Sequence, residues 1–452
     1  MNIIVVVSDT FRLDHFPGFN TTEIFAPNLE KFAQNAQVFN NCRLGSFPTV
    51  PARADIATGK FAFTFMGWDA LPKSQTTMAE CMSKAGYLTC GIADNPFLVR
   101  NGYGYDRGYQ DFIWVRGQRA GPEGRDVKKT WSSENDCFAA QTFTEACNWI
   151  ERNAEEKFFL YLDPWDPHEP WDPPAHYVKR YLPDYNGEQI YPAYWDVDDS
   201  GVTARELEIA HACYKGEITM IDHWFGRMMA RIESLGLAED TVVLFTSDHG
   251  FYFGEHNIFG KRRFLWDKKH PMNKVRFGER GYYYSCPLHQ ELTRVPFVMH
   301  HPKLKGKTHD CLLSLCDIAP TVIDMAGSKA PDDMHGRSLV PVLEGTTDTH
   351  RDIVVSADAD AQNLRSTSKA VDDVPREILE VCPATIFDGE WELVYAIEGD
   401  PHALYNSKID PEHRTDVAND NPEKVRELHA KYVDWLERHG TEEANIAPRR
   451  AL

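Results

Sequence analysis

The sequence predicts an α/β protein, built on a doubly wound, mainly parallel sheet and followed by a smaller α+β domain. Three observations lead there. Short apolar runs alternate with helical stretches over the first three quarters of the 452 residues, the pattern of strands joined by covering helices. An acid follows each of three of these runs, at Asp9, Asp163 and Asp248. After Gly345 the alternation gives way to short strands and one amphipathic helix. The expected organisation is a large α/β domain over residues 1–350 and a smaller one over 351–452, with antiparallel strands and a terminal helix.

In chain order, Ile3–Val7 is apolar without alternation, as a strand buried on both faces should be. Ala26–Asn35 has helical spacing. Thr76–Ala85 is the next helix, and Leu88–Ala93 the strand after it. The helix Cys137–Asn153 leads to the strand Phe158–Leu162, and the long helix Glu206–Leu235 leads to Thr241–Thr246. Beyond the boundary, Ile353–Ser356 and Glu390–Ile397 are strands, and Pro422–His439 is a helix with proline at its first position. Ligands of such sheets collect beyond the carboxyl ends of the strands, so the three acids should share one rim. Two stretches lack periodicity and read as insertions or lids. Asp172–Ser200 is rich in Pro, Tyr and Asp. Lys261–Ser285 carries Lys261, Arg262, Arg263, Lys268, Lys269, Lys274, Arg276 and Arg280, either a solvated loop or a cationic rim.

Hydrophobic content of 42% and charged content of 26% are ordinary for a globular chain. The net charge of −20 argues against nucleic-acid and anionic-membrane partners. It still permits a small anionic substrate, because a metal and a few cations can invert the field locally. No run approaches the roughly 20 apolar residues of a membrane span. The opening Met1-Asn2-Ile3-Ile4-Val5-Val6-Val7-Ser8-Asp9 has neither the basic region nor the cleavage site of a signal peptide. The ten cysteines are scattered, without a CxxC pair. A cytoplasmic protein with free thiols is expected. The basic segment and Arg449-Arg450 would serve subunit contacts as well as substrate, which leaves a homo-oligomer open.

Asp248-His249-Gly250 follows the strand Val242-Val243-Leu244-Phe245-Thr246. With Asp9 and Thr49 it offers three oxygens and one nitrogen to a divalent cation; the imidazole favours Mn²⁺ or Zn²⁺ over Ca²⁺. Thr49 opens the run Thr49-Val50-Pro51-Ala52-Arg53-Ala54-Asp55-Ile56-Ala57-Thr58-Gly59. This run resembles the active-site signature of the sulfatase family, in which a cysteine or serine, any residue, Pro, a small residue and Arg precede a Thr-Gly turn. Further resemblances follow in order: Asp9-Thr10-Phe11-Arg12-Leu13-Asp14-His15, then Asp166-Pro167-His168-Glu169-Pro170-Trp171. Ser247-Asp248-His249-Gly250 comes next, with Gly254-Glu255-His256 and Lys261 after it. Thr293-Arg294-Val295-Pro296-Phe297, Asp317-Ile318-Ala319-Pro320-Thr321, Gly336-Arg337-Ser338-Leu339 and Leu404-Tyr405-Asn406 complete the series. The chain is identified as a member of the sulfatase branch of the alkaline phosphatase superfamily.

The resemblance implies roles. Asp9, Asp248 and His249 would hold the metal, with Thr49 a ligand through its oxygen and also the nucleophile. Thr10 stands where many members carry a second acid, and it is the weakest of the named ligands. Arg53, expected at the start of the helix that follows Thr49, would point back and hold Thr49 or the substrate oxyanion. His168, Lys261 and His289 would neutralise non-bridging oxygens or protonate the leaving group. Arg12 and His256 divide between scaffold and site. One metal is expected; a second, held by Asp163, His168 and His289, stays open, although Asp-x4-His is a weak motif.

In sulfatases the cysteine or serine is oxidised to formylglycine, whose hydrate has two hydroxyls. One attacks sulfur, and the other drives expulsion of sulfate. Threonine has one hydroxyl, so that exit is closed, and Ser46 lacks an arginine four residues on. A phosphorylated threonine is easier to clear, since metal and cations stabilise in-line attack at phosphorus. Hydrolysis of phosphodiesters, or of phosphonate or phosphate monoesters, is therefore expected. Sulfate-ester hydrolysis without formylglycine and an inactive binding protein are the alternatives.

Overall fold

The computed structural model describes residues 1–19, 22–95, 97–98, 103–115, 132–266, 281–284, 286–359, 383–396 and 402–452. The chain forms two compact units. Unit 1 comprises Met1–Phe39, Ala79–Gly281 and Val295–His309; unit 2 comprises Asn40–Met78, Tyr282–Arg294 and Asp310–Leu452.

The large sheet has eight strands: β1 (Asn2–Val7), β2 (Gln37–Arg43), β3 (Leu88–Ala93), β4 (Asp111–Trp114), β5 (Phe158–Asp163), β6 (Thr241–Thr246), β7 (Phe297–His300) and β8 (Lys307–Ser314). Their spatial order is β8-β2-β7-β6-β1-β5-β3-β4. β1 runs parallel to β5 and β6, and β3 runs parallel to β4 and β5. β7 is antiparallel to β6 and β2. Every residue of β1, β5 and β6 is buried, which is why their sequences are continuous apolar runs without polar alternation.

Three helices build the core of unit 1 against these strands: α1 (Pro27–Gln34), α2 (Phe138–Arg152) and α3 (Ala204–Ser234). α3 starts two residues before the predicted Glu206, because Thr203 and Glu206 close a reciprocal cap there. Its buried face carries Ile218, Ile221, Phe225 and Met228, and also Tyr214. Asp9 and Asp248 each lie two residues past a strand, and Asp163 ends β5. The three acids therefore share the carboxyl rim of the adjacent strands β5, β1 and β6, as the sequence predicts.

Unit 2 holds a five-stranded sheet in the order Ala403–Asn406, Trp391–Tyr395, Ala384–Phe387, Val354–Asp358, Ser46–Phe47. All its pairings are antiparallel except the last. Leu428, Tyr432 and Trp435 of the helix Pro422–Arg438 pack on Val355, Ile386, Leu393 and Leu404. The fold is thus mixed α/β, with a mostly parallel central sheet and a smaller C-terminal part. No helix among the described residues is long and apolar enough to cross a membrane. The nine described cysteines are free thiols.

Candidate active site

The chain leaves β1 tethered on both sides. Ser8 N donates to Thr246 O at 3.0 Å, and Asp9 N donates to Pro164 O at 3.1 Å, so Asp9 is fixed between the ends of β6 and β5. Thr10 then adopts φ 61°, a left-handed conformation that a β-branched residue enters only under constraint. The constraint is visible. Thr10 N donates to Asp248 Oδ1 at 2.9 Å, and the Thr10 hydroxyl donates to Asp9 Oδ1 at 2.6 Å. The hydroxyl of buried Tyr214, reaching up from α3, donates to Thr10 O at 2.8 Å and accepts from Arg12 N at 2.9 Å. Arg12 has structural partners here. Its guanidinium binds both Asp14 oxygens, Glu255 Oε1 and Phe251 O, tying the loop after β1 to the loop after β6. Burial raises the Asp14 carboxyl, but Arg12 and His15 outweigh it and hold it well below the usual range.

Asp9, Asp248 and His249 are fully buried, and their ligand atoms lie within 4.8 Å of one another. His249 Nδ1 donates to Gly250 O at 3.0 Å, which in the neutral ring leaves the lone pair on Nε2. That nitrogen lies 3.3 Å from Asp248 Oδ2. Two carboxylates and an imidazole lone pair converging out of water repel one another unless a cation joins them. The donor set fits a divalent metal ion. Among the described residues it is the one group of three acidic, thiol or imidazole side chains that closes this tightly. Asp163, the further acid on the rim, accepts the Tyr161 hydroxyl at 2.8 Å.

His168 and Lys261 meet in the same unit. Lys261 Nζ donates to His168 Nε2 at 2.7 Å and reaches Thr10 Oγ1 at 3.5 Å. His168 Nδ1 donates to Glu169 O at 2.5 Å, and the ring stacks on Trp165 with centroids 3.8 Å apart. One hydrogen-bonded network therefore joins Asp9, Thr10, Asp248, Lys261 and His168. His256 lies edge-on to Tyr252. The basic residues Lys268, Lys269, Lys274, Arg276 and Arg280 lie outside the described residues.

Thr49, Arg53 and His289 belong to unit 2. Thr49 is the first residue of the helix Thr49–Thr58 and is 1% exposed, so Arg53 lies one turn inside that helix and not at its start. Arg53 Nη1 donates to Thr49 O at 3.3 Å. The turn into this helix is held by Asp55. Its carboxylate accepts from Ser46 N, Ser46 Oγ and Ala62 N, each at 2.7 Å. Burial nevertheless pushes this carboxyl up to about 7. Ser46 is thereby committed to a structural bond. His289 is buried, with Nδ1 3.3 Å from His413 Nδ1 and its ring edge-on to Tyr405. Sequence reasoning missed Tyr214, Glu169 and Asp55. Glu169 at least adjoins His168, whereas the role of Tyr214 depends on a partner 204 residues away.

Residues 1–328 match the profile of the family described as Sulfatase. The chain belongs to the sulfatase family. Residues 278–438 also match the family described as N-sulphoglucosamine sulphohydrolase, C-terminal. Among its relatives, an arylsulfatase of Clostridium perfringens is 27% identical, over 78% of this chain and 80% of its own. The multifunctional alkaline phosphatase superfamily protein PehA of Trinickia caryophylli is 24% identical, over 97% and 95%. The crystal structure of the phosphonate monoester hydrolase of Agrobacterium radiobacter superposes with a TM-score of 0.75 at 20% identity, covering 97% of this chain and 96% of that one. That likeness establishes a shared fold. Sulfatase and alkaline phosphatase superfamily members use a divalent metal, and Asp9, Asp248 and His249 are the residues here that fit one.

Proposed function

We propose that this sulfatase-family protein is a metal-dependent hydrolase of phosphodiesters, or of phosphonate or phosphate monoesters, with unmodified Thr49 as its nucleophile. The observation that carries this reading is the threonine itself, opening a run that otherwise follows the family signature. The Thr49 hydroxyl attacks phosphorus in line and releases its proton to solvent, while the departing oxygen takes a proton from the Lys261–His168 pair; the attacking water of the second step returns a proton to that pair. Water then cleaves the phosphothreonine, releasing the second product and restoring the hydroxyl. Asp9, Asp248 and His249 would hold the cation, which when bound would supply positive charge against the ester's non-bridging oxygens. The single imidazole among carboxylates favours Mn²⁺ or Zn²⁺. Arg53 and the amino end of the Thr49–Thr58 helix add positive potential beside the nucleophile. Free thiols throughout the described residues support a cytoplasmic setting.

A second reading, sulfate-ester hydrolysis without formylglycine, draws on the arylsulfatase relative and the sulphohydrolase match of residues 278–438. A panel of p-nitrophenyl sulfate, p-nitrophenyl phosphate, p-nitrophenyl phenylphosphonate and bis-p-nitrophenyl phosphate, assayed with Mn²⁺ or Zn²⁺, separates the two. Preference for a phosphorus ester is the expected result. Preference for the sulfate by orders of magnitude would transfer the assignment, and no turnover with metal bound would leave a binding protein.

A further inference from the structure

The segment Asp172–Ser200 looks in sequence like a lid. In the structure part of it is built into the frame that carries Lys261. Trp195–Asp196 pairs antiparallel with Ile258–Gly260, the strand that runs directly into Lys261. Tyr194 N donates to Phe259 O at 2.8 Å, and Arg263 Nε donates to Asp196 Oδ1 at 2.8 Å. Gly260 has φ +154°, and a Cβ there would stand 3.0 Å from Tyr194 Cα, so glycine is what lets the two backbones approach this closely.

From that position Tyr194, itself at φ 51°, donates its hydroxyl to Glu169 Oε1. The same buried carboxylate lies 3.6 Å from Lys261 Nζ through Oε1, and 3.3 Å from His168 Nδ1 through Oε2. Glu169 thus touches both members of the proton-carrying pair and the segment that braces them.

We propose that Glu169 and Tyr194 are positioning residues for the leaving-group side of the site, and that Asp172–Ser200 braces His168 and Lys261 instead of closing over them. The carboxylate keeps the ammonium directed at His168 Nε2 and Thr10, and the tyrosine hydroxyl keeps the carboxylate from rotating away. The inference rests on the reading that His168 and Lys261 face the ester.

The test uses Glu169→Gln and Tyr194→Phe in the full, metal-loaded protein, with metal content confirmed equal to the parent. Kinetics are measured on phenyl and p-nitrophenyl esters of the class that the parent prefers, and affinity for inorganic phosphate by calorimetry. Assistance to a departing oxygen contributes about 10²–10⁴-fold, and a poor leaving group needs it more. Glu169→Gln should lower kcat about 100-fold on the phenyl ester and about tenfold on the p-nitrophenyl ester. Tyr194→Phe should lower the phenyl rate about tenfold. Removing a negative charge beside Lys261 favours bound anions, so phosphate affinity in Glu169→Gln should rise while kcat falls. A purely structural role would lower both together and lower the two esters' rates equally; that result, or unchanged kcat, overturns the proposal. If the parent hydrolyses no ester, the proposed function falls, and the phosphate arm decides the inference alone: affinity not raised by Glu169→Gln overturns it.

Discussion

Consider Tyr214→Phe, which removes one hydroxyl from α3 and leaves the ring in place. In the parent that oxygen is fully buried between Thr10 O and Arg12 N, at 2.8 and 2.9 Å. Phenylalanine strands a backbone carbonyl and a backbone N–H out of reach of water. Each such group costs about 1–3 kcal/mol. Relaxation of Thr10 from its left-handed backbone, worth about 1–3 kcal/mol, returns part of this, so a net loss of about 3 kcal/mol is expected. The relaxation also draws Thr10 N away from Asp248 Oδ1, and outer-shell losses of this kind weaken metal binding about 10–100-fold. Urea denaturation of the metal-free protein measures the first effect, as a lower midpoint at unchanged slope. Competition with a fluorescent chelator measures the second. A stability loss below about 0.5 kcal/mol, within the range of ordinary surface changes, together with unchanged metal affinity, would refute the argument that Tyr214 holds the Thr10 turn.

Thr49→Ala should abolish turnover and leave the urea midpoint close to the parent's; full activity would sink the nucleophile assignment. His249→Ala should lower metal content by about tenfold or more as read by plasma emission, whereas Asp163→Asn should leave it alone. Metal lost in the Asp163 variant would point to a second ion. Asp55, raised by burial to about 7, binds its proton more tightly folded than unfolded. Its contribution to stability is complete below its unfolded value near 4 and is lost as pH rises to about 7. Asp55→Asn should therefore flatten the fall in urea midpoint between pH 4 and pH 7, and an unaltered profile would count against a protonated carboxyl there.

The strands legible in the sequence were the central ones. β1, β3, β5 and β6 are largely buried runs, and an unbroken apolar run announces itself. β4 is a half-exposed edge, β7 has four residues, and β8 begins exposed before turning inward, so none carries a clean period. The helix Thr49–Thr58 was legible only through its motif. It is buried on nearly every face and so lacks the one-sided stripe by which surface helices are recognised. The same contrast holds in the site. Asp9, Asp248, His249, His168 and Lys261 were named because they sit in short motifs that resemble the family's. The residues that hold them, Tyr214 and Tyr194, act through tertiary contacts that no local spacing records.

That buried helix also bears on how the proposed nucleophile could be reached by a modifying enzyme. A side chain 1% exposed in a helix enclosed on nearly every side is beyond the reach of a second enzyme once the chain has folded. With threonine at position 49 the chain leaves the ribosome already carrying the hydroxyl it would use. On the proposed function, activity would then not depend on a modifying enzyme in the host.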